Sequence, residues 1–285
     1  HEGKKFVTHH IPAGVFYGIE SIIGPGCVVD PEQFFKEIEE LESAGIPAST
    51  LVSIANNAHV ITKSHKTEDS KDSKIGTTKR GNGPAYRDKY NRTGTRAKEL
   101  ECFEGYLVDI YEELYSNPNA EILFEGAQGF GLDIDHGDYP YVTSSHCTTA
   151  AALLNGVPPQ AIRNVWGVAK IYDTYVGAKD FQPKGDVFNA LQSIGEEFGA
   201  TTGRKRQCNW MDLDNIKKAI RMNGVTDLVF NKMDVLREVG EWKFYNNGEV
   251  MRLDTEQEVR GWLTSYFSTF STISNVYFSG NKDRI

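Results

Sequence analysis

The stretch from Phe124 to Ser145, FEGAQGFGLDIDHGDYPYVTSS, constrains this chain more than any other. It follows an apolar run, Ile122-Leu123-Phe124, that reads as a buried strand, and it breaks at Gly126. It then passes through Gln128, Gly129, Gly131, Asp133, Asp135, His136 and Gly137 to Thr143-Ser144-Ser145. Small residues let backbone approach a ligand closely. An amide, carboxylates, an imidazole and hydroxyls supply donors and acceptors at a density that a connecting turn does not need. Functional groups concentrate on loops that follow scaffold strands, so this segment is the first candidate for a binding site.

The chain has 285 residues, enough for one large domain or two small ones. A formal charge of −8 disfavours non-specific binding to nucleic acid or to an anionic membrane. An anionic substrate would have to be captured by a local group of Arg and Lys. No apolar run approaches the length of a membrane-spanning helix, and the opening HEGKKFVTHH lacks the apolar core of a signal peptide. Cys27, Cys102, Cys147 and Cys208 form no C-x-x-C pair and read as free thiols in a reducing, cytoplasmic setting. No cluster of zinc ligands stands out.

Along the chain, SIIGPGCVV within residues 20–29 reads as strand–turn–strand. Asp30-Pro31 then opens a helix whose Phe34, Phe35, Ile38 and Leu41 share one face and which Gly45 closes. Leu51–Ile54 reads as a strand, and the polar residues 63–74 as an exposed helix or mobile loop. Residues 97–116 read as one helix with Leu100, Phe103, Leu107, Ile110, Tyr111 and Leu114 on one side. A small-residue helix over Thr148–Asn155, a strand over Val165–Tyr172, a helix over Asp214–Asn223 and a strand over Asp227–Phe230 follow. Thr255 and Glu258 form a capping box before the last helix, and Asn275–Phe278 is the last strand. No repeat or low-complexity linker interrupts the pattern. The expected fold is one α/β domain over residues 1–285: a large mixed, mainly parallel central sheet with flanking helices.

Two further stretches carry chemistry. Ile75–Gly94, IGTTKRGNGPAYRDKYNRTG, combines glycines, threonines and basic residues as an anion-binding loop does. Residues 197–212, EFGATTGRKRQCNWMD, place Arg204, Lys205 and Arg206 beside Gly199, Thr201, Thr202 and Gly203. A planar Arg fork fits a carboxylate or phosphate two bonds at a time. The strand at Asp227–Phe230 ends in Asn231-Lys232-Met233-Asp234. NKxD after a buried strand is a guanine-reading pattern, because one carboxylate accepts from both the ring N1–H and the exocyclic amine. Its place at a strand end is where open α/β sheets bind ligands.

EGAQG followed by DIDHG-YPYVTSS resembles the nucleotide-binding core of the adenylosuccinate synthetase family, and the likeness runs from HHIPAG at residues 9–14 to Asp283-Arg284. The resemblance implies a P-loop-NTPase-like fold and a C–N bond-forming ligase of purine biosynthesis. Such a ligase condenses L-aspartate with the 6-oxo position of IMP through a 6-phosphoryl intermediate, using GTP and Mg²⁺. It implies that Thr78, Gln128, Leu132, Thr143 and Val176 contact the substrate nucleotide. It implies that Arg92 reaches the partner subunit's site in a homodimer. Thr201, Thr202, Arg204 and Arg206 match the aspartate loop; Arg206, Lys232, Asp234, Ser279 and Gly280 match the GTP site. The family's glycine-rich phosphate loop, with its base and a metal ligand, and the catalytic His align upstream of His1. No catalytic or metal-ligating residue is therefore expected within residues 1–285, and these residues alone are expected to be inactive.

The sequence departs from the family in three further places. The span from Gly94 to Glu125 is short, as in a compact archaeal and phage branch. The family turn TRVGAGPFPTE reads TYVGAKDF, with Tyr175 in place of an Arg near the ribose, and SGNKDR replaces STGPDR. The compact branch includes phage enzymes that use dGMP, some of them with ATP, so dGMP is the alternative to IMP and ATP the alternative to GTP. A GTPase switch would share NKxD but not EGAQG or the Arg-rich Thr loop. A non-catalytic nucleotide-binding relative is the remaining alternative.

Overall fold

Short apolar runs separated by helices favour parallel pairing, and among the described residues six of the eight strand pairs are parallel. The structure, a computed structural model, describes His1, residues 3–199 and residues 203–281. Its contacts divide into two units, His1–Ala161 and Ile162–Ile285, each with its own hydrophobic core. No helix among the described residues is long and apolar enough to cross a membrane.

The first unit contains β1 (Ser21–Ile23), β2 (Val28–Val29), α1 (Pro31–Ser43), α2 (Ala48–Leu51), β3 (Val52–Ala55), β4 (His59–Val60), α3 (Lys63–Asp69), α4 (Asn82–Asn91), β5 (Leu107–Val108), α5 (Ile110–Tyr115) and α6 (Ala150–Leu154). Strands β1, β3 and β5 form a parallel sheet in that order, and β2 pairs with β4. The apolar face of α1 is buried as its spacing predicts, with Phe34 edge-on to Phe103 and Tyr106. Asp30 makes no capping bond; its carboxylate pairs with Lys66 at 2.6 Å.

Two expectations fail in this unit, and a third holds only in part. The single helix over 97–116 is two short 3₁₀ turns, then β5, then α5, because Asp109 caps a fresh helix start by accepting from the Tyr111 N–H. Residues 63–74 do carry the expected, largely exposed helix, but α3 buries His65 and Asp69 beneath a Thr62 capping box. Ile122-Leu123-Phe124 forms no strand and is exposed, Leu123 by 88%.

The second unit contains β6 (Trp166–Lys170), β7 (Tyr172–Tyr175), α7 (Asp186–Ile194), β8 (Gln207–Asp212), α8 (Leu213–Asn223), β9 (Asp227–Asn231), α9 (Met233–Val239), β10 (Trp242–Asn246), β11 (Glu249–Leu253), α10 (Glu256–Phe267) and β12 (Asn275–Phe278). Strands β12, β9 and β6 form a wholly parallel sheet; β11, β10, β8 and β7 form a mixed one. Phe230, Phe244, Phe267, Leu213, Met211 and Leu236 fill the core around them. The Val165–Tyr172 run is two strands rather than one. The β10–β11 hairpin and α7 have no counterpart in the sequence-based expectation.

Candidate functional site

In the first unit, three of the sequence-predicted segments are held next to one another. The loop carrying Thr78 is gripped by two carboxylates. Asp72 accepts from the backbone N–H of Gly76 at 2.9 Å and of Ile75 and Thr77, and Asp69 accepts from Gly81 N–H at 2.8 Å. Gly81 has φ +85, and a Cβ there would lie 2.9 Å from the Lys66 nitrogen, so only glycine closes this loop. Arg80 from the same loop meets His9 Nε2 at 2.8 Å, and Ala13 N–H donates to Glu125 at 3.4 Å. The HHIPAG segment therefore lies between the threonine loop and the EGAQG loop. Three of its N–H groups, from His9, His10 and Ile11, donate to the buried Glu37 carboxylate.

The long loop is organised by Asp133, which is wholly buried and accepts from the N–H groups of Asp135, His136 and Cys147. Burial pushes its pKa up, but those three bonds and the nearby His146 outweigh it and hold the carboxyl below its ordinary range. Thr143 N–H donates to the Leu132 carbonyl at 2.8 Å, so these two predicted nucleotide contacts sit side by side. A Cβ at Gly137 would lie 2.6 Å from the carbonyls of both Asp133 and Gly131, which explains glycine there. Gln128 is exposed, with φ +59. Thr78 and Arg92 are not together. They flank opposite ends of α4, and the exposed Arg92 side chain has no hydrogen-bond partner among the described residues.

In the second unit, the loops gather at the C-terminal ends of the parallel strands β6, β9 and β12. Met233 N–H donates to the Ser279 carbonyl, and Ser279 N–H to the Phe230 carbonyl. A Cβ at Gly280 would lie 3.7 Å from the Asp234 nitrogen and 3.3 Å from Arg237. Lys232, Asp234, Ser279 and Gly280 therefore share one strand-end cluster. Lys232, with φ +65, donates to the Gly195 carbonyl at 2.9 Å. Val176 lies just past the end of β7, where the Tyr175 and Phe181 rings meet at a tilt and Lys179 stands over both.

The loop before β8 is pinched by a Phe198–Lys205 bridge and by Gly199 N–H donating to the Arg204 carbonyl at 2.8 Å. At its base Arg206 Nη1 meets Glu197 at 2.8 Å. Thr201 and Thr202 lie outside the described residues, as do Asp283 and Arg284. Two groups with no role predicted from sequence belong to this region. Glu197 is buried and bonded to Lys170, Tyr172 and Arg206. Burial raises its pKa, yet the Lys170 and Tyr172 hydrogen bonds, the Lys170 charge and the Arg206 bond hold it below the ordinary value. Asp173, on β7, is pushed up to about 7 by burial and by Asp212, against the Asp212 N–H bond it accepts. A Lys closing an apolar strand, and a Glu directly ahead of a Gly-Thr-Arg loop, are the signals that could have marked the first network.

Backbone strain points the same way. Among the described residues, six non-glycine residues have positive φ: Lys79, Arg92, Gln128, Glu196, Lys232 and Asn247. All but Asn247, which turns the β10–β11 hairpin, lie in or beside the stretches singled out above. Such conformations cost about 1–3 kcal/mol each and persist mainly where function requires them.

The described residues gather one metal-type cluster, with Asp133, Asp135 and His146 ligand atoms all within 4.8 Å of one another. It does not fit Mg²⁺. That ion needs oxygen donors in near-octahedral array, whereas both Asp133 oxygens are already engaged by backbone N–H groups.

Comparison with known proteins identifies the family. The family model for adenylosuccinate synthetase matches residues 1–116 and 101–250. The adenylosuccinate synthetase of Salinibacter ruber is 38% identical over 301 residues, covering 85% of this chain and 69% of that protein. That of Oleidesulfovibrio alaskensis is 35% identical over 329 residues, covering 93% and 77%. Among solved structures, fully ligated adenylosuccinate synthetase from Plasmodium falciparum superposes with a TM-score of 0.76 at 29% identity, covering 88% of this chain and 73% of that one. A cyanophage S-2L succinoaminodeoxyadenylate synthetase bound to dGMP and dATP gives 0.66 at 21% identity, covering 93% and 86%, a likeness of fold. On these matches, the chain belongs to the adenylosuccinate synthetase family of C–N bond-forming ligases.

Proposed function

We propose that this protein condenses L-aspartate with C6 of a 6-oxopurine nucleotide, IMP, driven by GTP. The purine loses its N1 proton, its 6-oxygen attacks the γ-phosphorus, and GDP leaves. The aspartate amine then attacks C6, and phosphate departs with the former 6-oxygen. Thr78, Gln128, Leu132, Thr143 and Val176 would hold the nucleotide; Thr201, Thr202, Arg204 and Arg206 the aspartate carboxylates; Arg206, Lys232, Asp234, Ser279 and Gly280 the GTP. Arg forks on the carboxylates leave the amine free as the nucleophile. Mg²⁺ belongs to the reaction as the family runs it, and no step here is assigned to it.

The observation that carries the reading is the contact of Lys232 with Gly195. It joins the guanine-reading strand end to the segment that leads through Glu197 into the aspartate loop, as a reaction using both co-substrates requires. The homodimer reading is supported by α4: its ten residues span about 15 Å at 1.5 Å each and separate Arg92 from the loop that carries Thr78, so Arg92 would serve the partner's site.

dGMP is the alternative substrate, because Tyr175 stands where the family turn carries an Arg near the ribose. The Tyr175 hydroxyl packs so closely on Gly177 that a Cβ there would lie 2.1 Å from it, and a phenol rather than a guanidinium fills this turn. The test offers IMP and dGMP in parallel, each with Mg²⁺, L-aspartate and GTP or ATP, to protein made from the complete reading frame. Products are read by mass. An aspartyl adduct of IMP supports the main reading and an adduct of dGMP alone supports the second. Neither adduct, with nucleotide still bound, would leave a binding protein.

A further inference from the structure

The Glu197 carboxylate is 1% exposed and accepts four hydrogen bonds. Lys170 Nζ reaches both oxygens at 2.8 Å, the Tyr172 hydroxyl reaches Oε1 at 2.7 Å, and Arg206 Nη1 reaches Oε2 at 2.8 Å. Those bonds fill the acceptor positions of a carboxylate. Lys170 is saturated too, since its third N–H goes to Thr174 Oγ1 at 2.9 Å. Arg206 is not: its side chain is 32% exposed and, among the described residues, bonds only through Nη1. One cation balances a buried carboxylate, and Glu197 has two beside it. Lys170 therefore serves as the counter-ion, while the Arg206 charge and most of its fork remain for a ligand. The backbone reinforces this. Arg206 N–H donates to the Glu197 carbonyl at 2.9 Å, and Gln192 Nε2 donates to the Arg206 carbonyl at 2.8 Å.

Resting on the ligase reading above, we propose that Glu197 is a positioning residue of the amino-acid site. With Lys170 as its counter-ion, it fixes the Arg206 guanidinium so that the remaining N–H donors bind a carboxylate of the dicarboxylate substrate. A planar fork binds two oxygens at once only when its plane is held. Without Glu197 the fork swings free and Lys170 repels it.

The test uses protein from the complete reading frame, with L-aspartate and the purine nucleotide varied separately. In Glu197→Gln and Glu197→Asp the KM for L-aspartate rises on the order of 10-fold or more, the loss expected of a displaced binding group. The KM for the purine nucleotide stays within about twofold. Glu197→Asp keeps the charge but is one methylene shorter, so charge alone does not rescue. The double variant Lys170→Met/Glu197→Gln removes both charges of the pair and decides the matter if the single variants do not fold; it too shows the raised KM for L-aspartate. Variants that melt earlier yet keep that KM within about twofold of the parent would make Glu197 a structural ion only and overturn the proposal. If the parent protein forms no aspartyl product, the ligase reading fails separately. Succinate binding by calorimetry then decides for Glu197: weaker binding in the variants supports the proposal, equal binding overturns it.

Discussion

Lys232 reaches the Gly195 carbonyl at 2.9 Å, so the strand end that carries Asp234 also steadies the turn before Glu197. Lys232 and Asp234 then differ in consequence. Asp234→Ala should raise the KM for GTP by roughly 10-fold or more, because guanine loses its paired acceptor, and should leave the KM for L-aspartate near that of the parent. Lys232→Met should raise both, since it also releases the 195–197 turn. Steady-state kinetics with each co-substrate varied in turn separates the two patterns.

Asp133 is the keystone of the long loop, and its replacement tests whether that loop is prebuilt. In Asp133→Asn the amide N–H₂ faces the Cys147 N–H, leaving a buried donor unmet. The cost is about 2–3 kcal/mol, measured by urea unfolding at neutral pH. Because the folded pKa of Asp133 is lowered, its contribution is present above the unfolded carboxylate value, about 3.9, and is lost as pH falls through the folded value. The gap between parent and variant should narrow at acid pH.

The opposite sign holds for Asp173. Its folded pKa is raised to about 7, so the native state holds the proton more tightly than the unfolded chain. The parent should lose stability as pH climbs from about 4 to 7 and level off above. Asp173→Asn keeps an acceptor for the Asp212 N–H without the charge. It should be more stable than the parent at pH 8, on the order of 1–2 kcal/mol, with the difference gone near pH 4. Thermal melts at the two pH values check this.

Arg92 sits at the far end of α4 from the Thr78 loop, exposed and in a left-handed conformation. Mixing Arg92→Ala protein with Arg204→Ala protein should restore activity through hybrid dimers that hold one intact site, approaching a quarter of the parent rate at full exchange. No recovery despite proven subunit exchange would count against Arg92 reaching across.

What the sequence made legible depended on how local the cause was. The α1 face, the Thr255 cap accepting from Glu258 N–H, and NKMD at a strand end are set by residues within one or two turns of each other, and all stand in the structure. The Ile122–Phe124 run looked like core because it is apolar, but apolarity supplies no pairing partner, and the segment is exposed. The 97–116 run kept helical spacing while β3 drew Leu107 and Val108 into its ladder. His65 and Asp69 looked solvated until α4 packed over α3, with Asp88 meeting His65 at 3.1 Å. At the site, motifs named the groups proposed to face ligands. Lys170, closing an apolar strand, left only a faint local signal and Tyr172 none, because their role exists only once β6 and β7 bring them to Glu197.

The central claim is that the 6-oxygen of the purine is phosphorylated and leaves as phosphate. Protein from the complete reading frame, given IMP labelled with ¹⁸O at the 6 position, L-aspartate, GTP and Mg²⁺, tests it directly by mass spectrometry of the products. The account predicts phosphate carrying one ¹⁸O for each unlabelled adenylosuccinate formed. Unlabelled phosphate, or GTP cleaved without an aspartyl adduct, would contradict it.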